Sequence, residues 1–239
     1  MTRKLHSRIA ALVLISTAVL CCMSTAMAGQ PLTVDDAAVV DAHTCQVEGW
    51  VQSARDDHQY WIAPACNLFG NVELYVGAAR IDADESARTS QFQLQAKTVL
   101  IPRGDGAWSF GAEGGAQRDT GAEHGRSAFQ TYYAIGLASF HPSDDVEVDF
   151  NLGIVKTHGS AMSAFAGTAV QYSPIERLQL LAEVFHDEPG RAKYQAAIRY
   201  ALIPDRLEAF VSYGSRFGGS SGNWWSIAGF RWQSAALFP

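Results

Sequence analysis

The chain has 239 residues, 18 of them Lys or Arg against 24 Asp or Glu, for a net charge of −6. That acidic balance argues against nucleic acid as a partner, because phosphates are held by basic patches. Beyond the first 28 residues no stretch approaches the roughly 18 consecutive apolar residues of a spanning helix, which excludes an inner-membrane helical protein.

The N-terminus carries Arg3, Lys4 and Arg8, an apolar run from Ile9 to Leu20, and small residues ending in Ala26-Met27-Ala28. This is a secretory signal with an A-x-A cleavage site. Leu20 stands just before Cys21, and Cys21 just before Cys22, where a lipidation signal needs a small residue, so plain cleavage after Ala28 is expected. The mature chain keeps 15 basic residues against 24 acidic ones, a net charge of −9. Residues 29–44, polar or small with Pro31, Asp35 and Asp36, read as an N-terminal periplasmic tail. Residues 45–239 read as a single barrel.

From Cys45 onward, short segments alternate apolar and polar residues. The spacing predicts strands near 45–53, 58–67, 72–80, 91–101, 107–116, 129–140, 146–156, 162–172, 177–186, 193–203, 206–214 and 224–233. Val146, Val148, Phe150, Leu152 and Ile154 share one parity while Glu147, Asp149, Asn151 and Gly153 hold the other. Alternate connections are short and proline-bearing, with Pro102, Pro142, Pro174 and Pro204, and those between are longer and polar. Short periplasmic turns facing longer outer loops are the signature of an all-β, transmembrane antiparallel up-and-down β-barrel of about 12 strands in the outer membrane. Apolar-parity aromatics gather at strand ends, with Tyr60, Phe92, Phe129, Tyr194, Tyr213 and Trp224 at the outer rim and Trp108, Tyr172 and Trp232 at the inner. A soluble barrel or sandwich would put the apolar face inside, and about twelve strands enclose more space than apolar side chains fill.

Cys45 and Cys66 are the two cysteines of the mature chain, an even count in an exported protein. If Arg55-Asp56 is a two-residue hairpin loop, the register places the two cysteines directly opposite each other in a non-hydrogen-bonded pair, where side chains are closest. A disulfide is expected, with two inert thiols as the alternative.

The segments QPLTVDDA (Gln30 to Ala37) and CQVEGW (Cys45 to Trp50), at the head of a barrel of this size, resemble the outer-membrane transporter-like family named for the meta pathway of phenol degradation. The resemblance implies a small outer-membrane barrel associated with aromatic-compound uptake. It brings no catalytic residues.

By parity the lumen receives Glu48, Glu73, Glu113, Glu147, Asp149, Glu183 and Glu208, opposed by Lys97, Lys193, Arg199 and Arg231, together with Trp50, Trp61, Gln91, Gln93, Gln95 and Gln179. One reading is a salt-bridged filling that closes a narrow barrel. The other is a conduction path whose excess acids favour cations or neutral solutes, the tryptophans offering stacking surfaces. His158-Gly159-Ser160 is the one hint of a serine hydrolase, but Ala161 follows where outer-membrane lipid hydrolases have Asn, and the segment reads as a loop. Asp119, Glu123 and His124, or His186, Asp187 and Glu188, lack metal-ligand spacing. Gly104-Asp105-Gly106 lacks the third glycine of a dinucleotide site. The expectation is a monomeric passive channel or facilitator for small solutes, with no catalytic residue, metal or cofactor. Its partners would be membrane lipid, lipopolysaccharide and a small-molecule solute. A closed structural or surface-interaction barrel is the alternative.

Overall fold

The computed structural model describes residues 30–83, 88–104, 106–120, 129–187, 191–219 and 222–237. The expected signal segment 1–28, with Glu123, His124 and Glu188, lies outside them. Among the described residues, twelve strands close into one antiparallel barrel in which each is bonded to its neighbours in sequence and β1 to β12. They are β1 Cys45–Ala54, β2 Asp57–Asn67, β3 Val72–Ala83, β4 Thr89–Ile101, β5 Trp108–Asp119 and β6 Thr131–Ser143, followed by β7 Val146–Thr157, β8 Met162–Ile175, β9 Leu178–His186, β10 Lys193–Ile203, β11 Leu207–Arg216 and β12 Trp224–Gln233. Closure leaves no unpaired strand edge, as a bilayer requires.

The side chains are sorted as the alternation predicts. In β7, Leu152 on the outward parity is 71% exposed while Asp149 on the other is 0%. Tyr60, Ile62, Leu94, Phe150, Ile198 and Val211 continue the exposed apolar band round the barrel. The inner rim is tied together by Trp108, whose ring lies 4.7 Å from Phe140 and 6.2 Å from Phe150. At the outer rim Tyr213 stacks on Trp224 and Tyr194 meets Phe217. These belts suit the two membrane interfaces.

Strand ends depart from expectation by a few residues, for a local reason in two cases. β6 and β8 run on through Pro142 and Pro174, each beside a register shift, between Phe140 and Ser143 and between Tyr172 and Ile175. Proline cannot donate to the ladder, and a bulge at a strand end is where that missing donor costs least. Across Arg55-Asp56 the register pairs Cys45 with Cys66, and the two form a disulfide with Cα atoms 4.1 Å apart.

Residues 30–44 precede β1, as the sequence suggests, but they are no free tail. They enter the barrel from the β1 end and run along its inner wall, with Gln30, Pro31, Leu32, Val34 and Ala37 buried.

Candidate functional site

The site is the lumen and the N-terminal segment that occupies it. The segment's backbone is held by side chains projecting inward from successive strands. The Val40 amide donates to Glu73 Oε2 on β3 at 2.9 Å, and the Ala37 amide to Ser139 Oγ on β6 at 2.8 Å. Asn151 on β7 takes both backbone groups of Asp35. Glu183 on β9 accepts from the Thr33 and Val34 amides at 2.9 and 2.7 Å. Gln195 on β10 donates to the Pro31 carbonyl, and Gln30 reaches Glu48 Oε2 on β1 and Arg199 Nη2 on β10. The segment thus makes a circuit of the wall. Residues 31–40 share no backbone-to-backbone hydrogen bond with a strand among the described residues.

Charge and apolar surface divide the lumen between them. Lys97 Nζ stands 2.8 Å from Asp35 Oδ2 and 3.0 Å from Asp36 Oδ1, tying the segment to β4. On β1, β12 and β11 a row of alternating charge forms, Glu48 facing Arg231 across the ladder and Arg231 Nη2 lying 2.6 Å from Glu208. Along the β6 to β10 side the wall also carries an apolar patch. There Ile135, Leu137, Phe165, Leu181 and Phe185 form one cluster with Leu32, Val34 and Ala37 of the segment. Apolar residues thus line the lumen, beyond the expected Trp50 and Trp61, where they meet an apolar stretch supplied by the chain itself. Gly167 makes room, since a Cβ there would stand 2.5 Å from Val34 Cγ2.

Of the residues expected on the wall by parity, Glu48, Trp50, Trp61, Glu73, Gln93, Lys97, Glu113, Asp149 and Glu183 are buried, and several are engaged with one another. Gln93 donates to the Tyr133 hydroxyl, which donates to Gln95 Oε1, and Gln95 donates to Glu113. Asp149 accepts from Ser139 and Gln171, and Glu147 lies 3.4 Å from His141. Trp50 and Trp61 face each other in register and stack with ring centroids 5.3 Å apart. Both are buried, so the tryptophans hold each other and offer no open face to a passing molecule.

Asn67, Ser139, Asn151 and Gln195 were not singled out by sequence reasoning as holding the segment. Their inward parity was legible, but their use depends on where residues 30–41 lie. The alternation of Leu32 and Val34, answered by inward Ile135, Leu137 and Leu181, was the available signal.

The segment leaves space on the periplasmic side. A cavity of about 280 Å³ lies between Asp35 and Asp36 on one side and Glu48, Glu73, Arg199 and Arg231 on the other. A second, of about 540 Å³, opens at the barrel mouth beside Asp41, Asp205, Glu208 and Arg231.

The hydrolase candidates do not assemble. His158 and Ser160 occupy an exposed turn between β7 and β8, with Gly159 at φ 79° and the Ser160 carbonyl accepting from Lys156 Nζ. Asp187 is engaged by Lys193 at 2.8 Å.

The fold is that of small outer-membrane porins. A KdgM porin solved with disordered oligogalacturonate superposes with a TM-score of 0.62 at 8% identity, covering 78% of this chain and 98% of that one. The NanC porin gives 0.60 at 9% identity, covering 80% and 100%. The outer membrane protein Omp33 of Acinetobacter baumannii gives 0.51 at 8% identity, covering 80% and 98%. With its outward apolar band, the protein is an outer-membrane β-barrel. Comparison with curated proteins gives no match. Of the resemblance drawn from QPLTVDDA and CQVEGW, the small outer-membrane barrel stands, without the link to phenol degradation. The family described as uncharacterised conserved protein UCP029691 matches residues 16–230, and the chain belongs to that family.

Proposed function

We propose that the protein is a passive channel for small polar solutes, neutral or cationic, closed at rest by its own N-terminal segment and open when that segment leaves the lumen. The observation that carries this reading is the way residues 31–40 are held, by wall side chains without a ladder bond among the described residues. Such contacts let go individually, whereas a strand paired into the sheet would not. The cavities on the periplasmic side supply the remaining path.

The wall argues about cargo as well. Seven inward acids against four bases disfavour a polyanion, so the oligogalacturonate seen with the KdgM porin is not carried over to this lumen. The mutual stacking of Trp50 and Trp61 removes the support for an aromatic solute. The barrel works as a monomer, ringed by lipid and lipopolysaccharide.

Conductance decides. In planar bilayers the intact barrel is expected to be silent or nearly so, and a heat-modifiable, folded barrel lacking residues 30–41 to conduct continuously. A folded truncated barrel that passes no current overturns the proposal. The second reading then stands, a closed structural barrel, which the apolar cluster around Leu32 and Val34 favours.

A further inference from the structure

We propose that the outer rim of the barrel over β3 to β7 is a binding site for the phosphate groups of one lipopolysaccharide molecule, held by Arg80, Arg118 and Lys156. The inference rests on the outer-membrane location and stands whether or not the lumen conducts. Among the described strand residues, these three are the Lys and Arg residues of the outward parity, and all are exposed. The other strand cations, Lys97, Lys193, Arg199, Arg216 and Arg231, have the inward parity. Arg80, Arg118 and Lys156 all stand near the outer ends of their strands. Cations that merely snorkel to the nearest water would occur at both rims and right round the barrel. Here they keep to one rim and one side, since the outward parity of β9 to β12, β1 and β2 carries no Lys or Arg.

Each of the three stands directly opposite an aromatic residue of the outward band. Arg80 pairs with Tyr60, Arg118 with Phe92 and Lys156 with Tyr132, and these rings are themselves exposed. Belt aromatics sit at headgroup depth, so the cations beside them do as well. The register keeps them level. On β4, Arg80 faces Ser90 and Arg118 faces Phe92, two residues nearer the periplasm, which is the stagger that tilted strands need to hold neighbours at one depth. Successive cations are two strand widths apart, about 10 Å across the sheet. That spacing suits a disaccharide headgroup with a phosphate at either end.

Their charge is not cancelled locally. The side chain of Arg118 has no hydrogen bond or ion pair among the described residues, and Lys156 Nζ donates to the uncharged Ser160 carbonyl. Arg80 grips both oxygens of Asp82, but Arg88 Nε also lies 3.1 Å from that carboxylate. Two guanidinium groups thus share one acid, and among the described residues of β3 to β8 Asp82 is the acid of the outward parity. Four cations against that acid leave an excess of positive charge, with guanidinium forks shaped for phosphate. Lipopolysaccharide supplies phosphate to the outer leaflet alone, and the rim that meets the inner leaflet is the one without outward cations. Binding on this side would fix the depth and tilt of the β3 to β7 wall in the membrane.

Native mass spectrometry of the folded barrel, titrated with lipid A either intact or stripped of both phosphates, tests the site. The barrel should bind one intact lipid A, and the stripped lipid about a hundredfold more weakly. At roughly 1 kcal/mol for each cation near an anionic surface, Arg118→Gln should weaken binding about fivefold, and Arg80→Gln, Arg118→Gln and Lys156→Gln together about a hundredfold. Arg103→Gln, Arg177→Gln and Arg206→Gln together remove the same charge from exposed periplasmic turns and should change nothing. Equal affinity for the two lipids overturns the proposal, as does full binding by the rim triple variant. A matching loss in the periplasmic triple variant would assign the effect to net charge, and phosphatidylglycerol bound as tightly as lipid A would assign it to any anionic lipid; the proposal falls in either case. Should the rim triple variant give no heat-modifiable band, Arg118→Gln and the stripped lipid on the native barrel still decide.

Discussion

Asn151 holds Asp35 by both of its backbone groups, Nδ2 donating to the carbonyl at 2.7 Å while Oδ1 accepts from the amide at 2.8 Å. The side-chain amide thereby imitates the two-bond exchange of an antiparallel pair. It does so from a strand whose own backbone is committed to β6 and β8. This fixes the segment where its two aspartates reach Lys97.

Asn151→Leu keeps the branching of the side chain and removes both bonds. A buried polar group left unsatisfied costs about 1–3 kcal/mol, charged here against the segment and not against the barrel. Amide exchange at Asp35 and its neighbours should rise with no change in the folded, heat-modifiable band. Unaltered exchange would show that Asn151 is not what retains the segment.

Lys97→Met should do more, because it leaves Asp35 and Asp36 without their cation. Breaking one side of a buried ion pair costs about 3–5 kcal/mol. The expected result is long open events in bilayer recordings. Neutralising the partners as well, with Asp35→Asn and Asp36→Asn added, should restore part of the closure. If the triple variant stays as open as Lys97→Met, charge pairing is not the reason Lys97 matters.

Gly167→Leu tests the fit of the segment against the wall. A Cβ at Gly167 would also lie 3.1 Å from Phe185 Cβ. Of these two neighbours, Val34 sits on the segment held by side chains alone and Phe185 is anchored in β9, so the segment is what yields. A cysteine placed at Ala38 should then react faster with a periplasmic thiol reagent. No change in its rate would mean that the wall relaxes instead.

Parity made the barrel legible: alternation, proline turns and rim aromatics are local features, and twelve strands follow from them within a few residues. The Cys45–Cys66 pairing was legible because a hairpin register is arithmetic once its loop is placed. What the lumen contains was not, because the alternation of Leu32 and Val34 is too short to mark an element, and it acquires meaning only against Glu183, Asn151 and the Ile135 to Phe185 surface. Among the acids expected on the wall, Glu48, Glu73 and Glu183 accept backbone amides of the segment. One sequence offers no way to read such contacts, which join residues 18, 33 and 149 positions apart.

The disulfide sits where the segment meets the barrel, Cys45 following Thr44 directly. His43 and Thr44 already exchange backbone bonds with Asn67. Cys45→Ser with Cys66→Ser should therefore leave a folded barrel and lower its resistance to denaturant by about 3 kcal/mol at most, the loop-closure value for a ring of this size. Loss of all folded protein would assign the bond a larger part in assembly.

Selectivity should be read in the barrel lacking residues 30–41, where the wall charges face water. Removing the segment frees Glu48, Glu73 and Glu183 from the amides they bind and releases Lys97 from Asp35 and Asp36. Lys97 stays flanked in the ladder by Glu73 and Glu113, so its charge remains locally offset. The inward acids Glu48, Glu73, Glu113, Glu147, Asp149, Glu183 and Glu208 then outnumber Lys97, Lys193, Arg199 and Arg231. The resulting field concentrates cations and repels anions. Reversal potentials in a salt gradient should report cation preference, weakened by Glu73→Gln with Glu183→Gln. These two are better choices than Asp149, whose oxygens remain occupied by Ser139 and Gln171 with or without the segment. Anion preference in the truncated barrel would refute the charge argument, and an unchanged reversal potential in the double variant would move the selecting charges elsewhere on the wall.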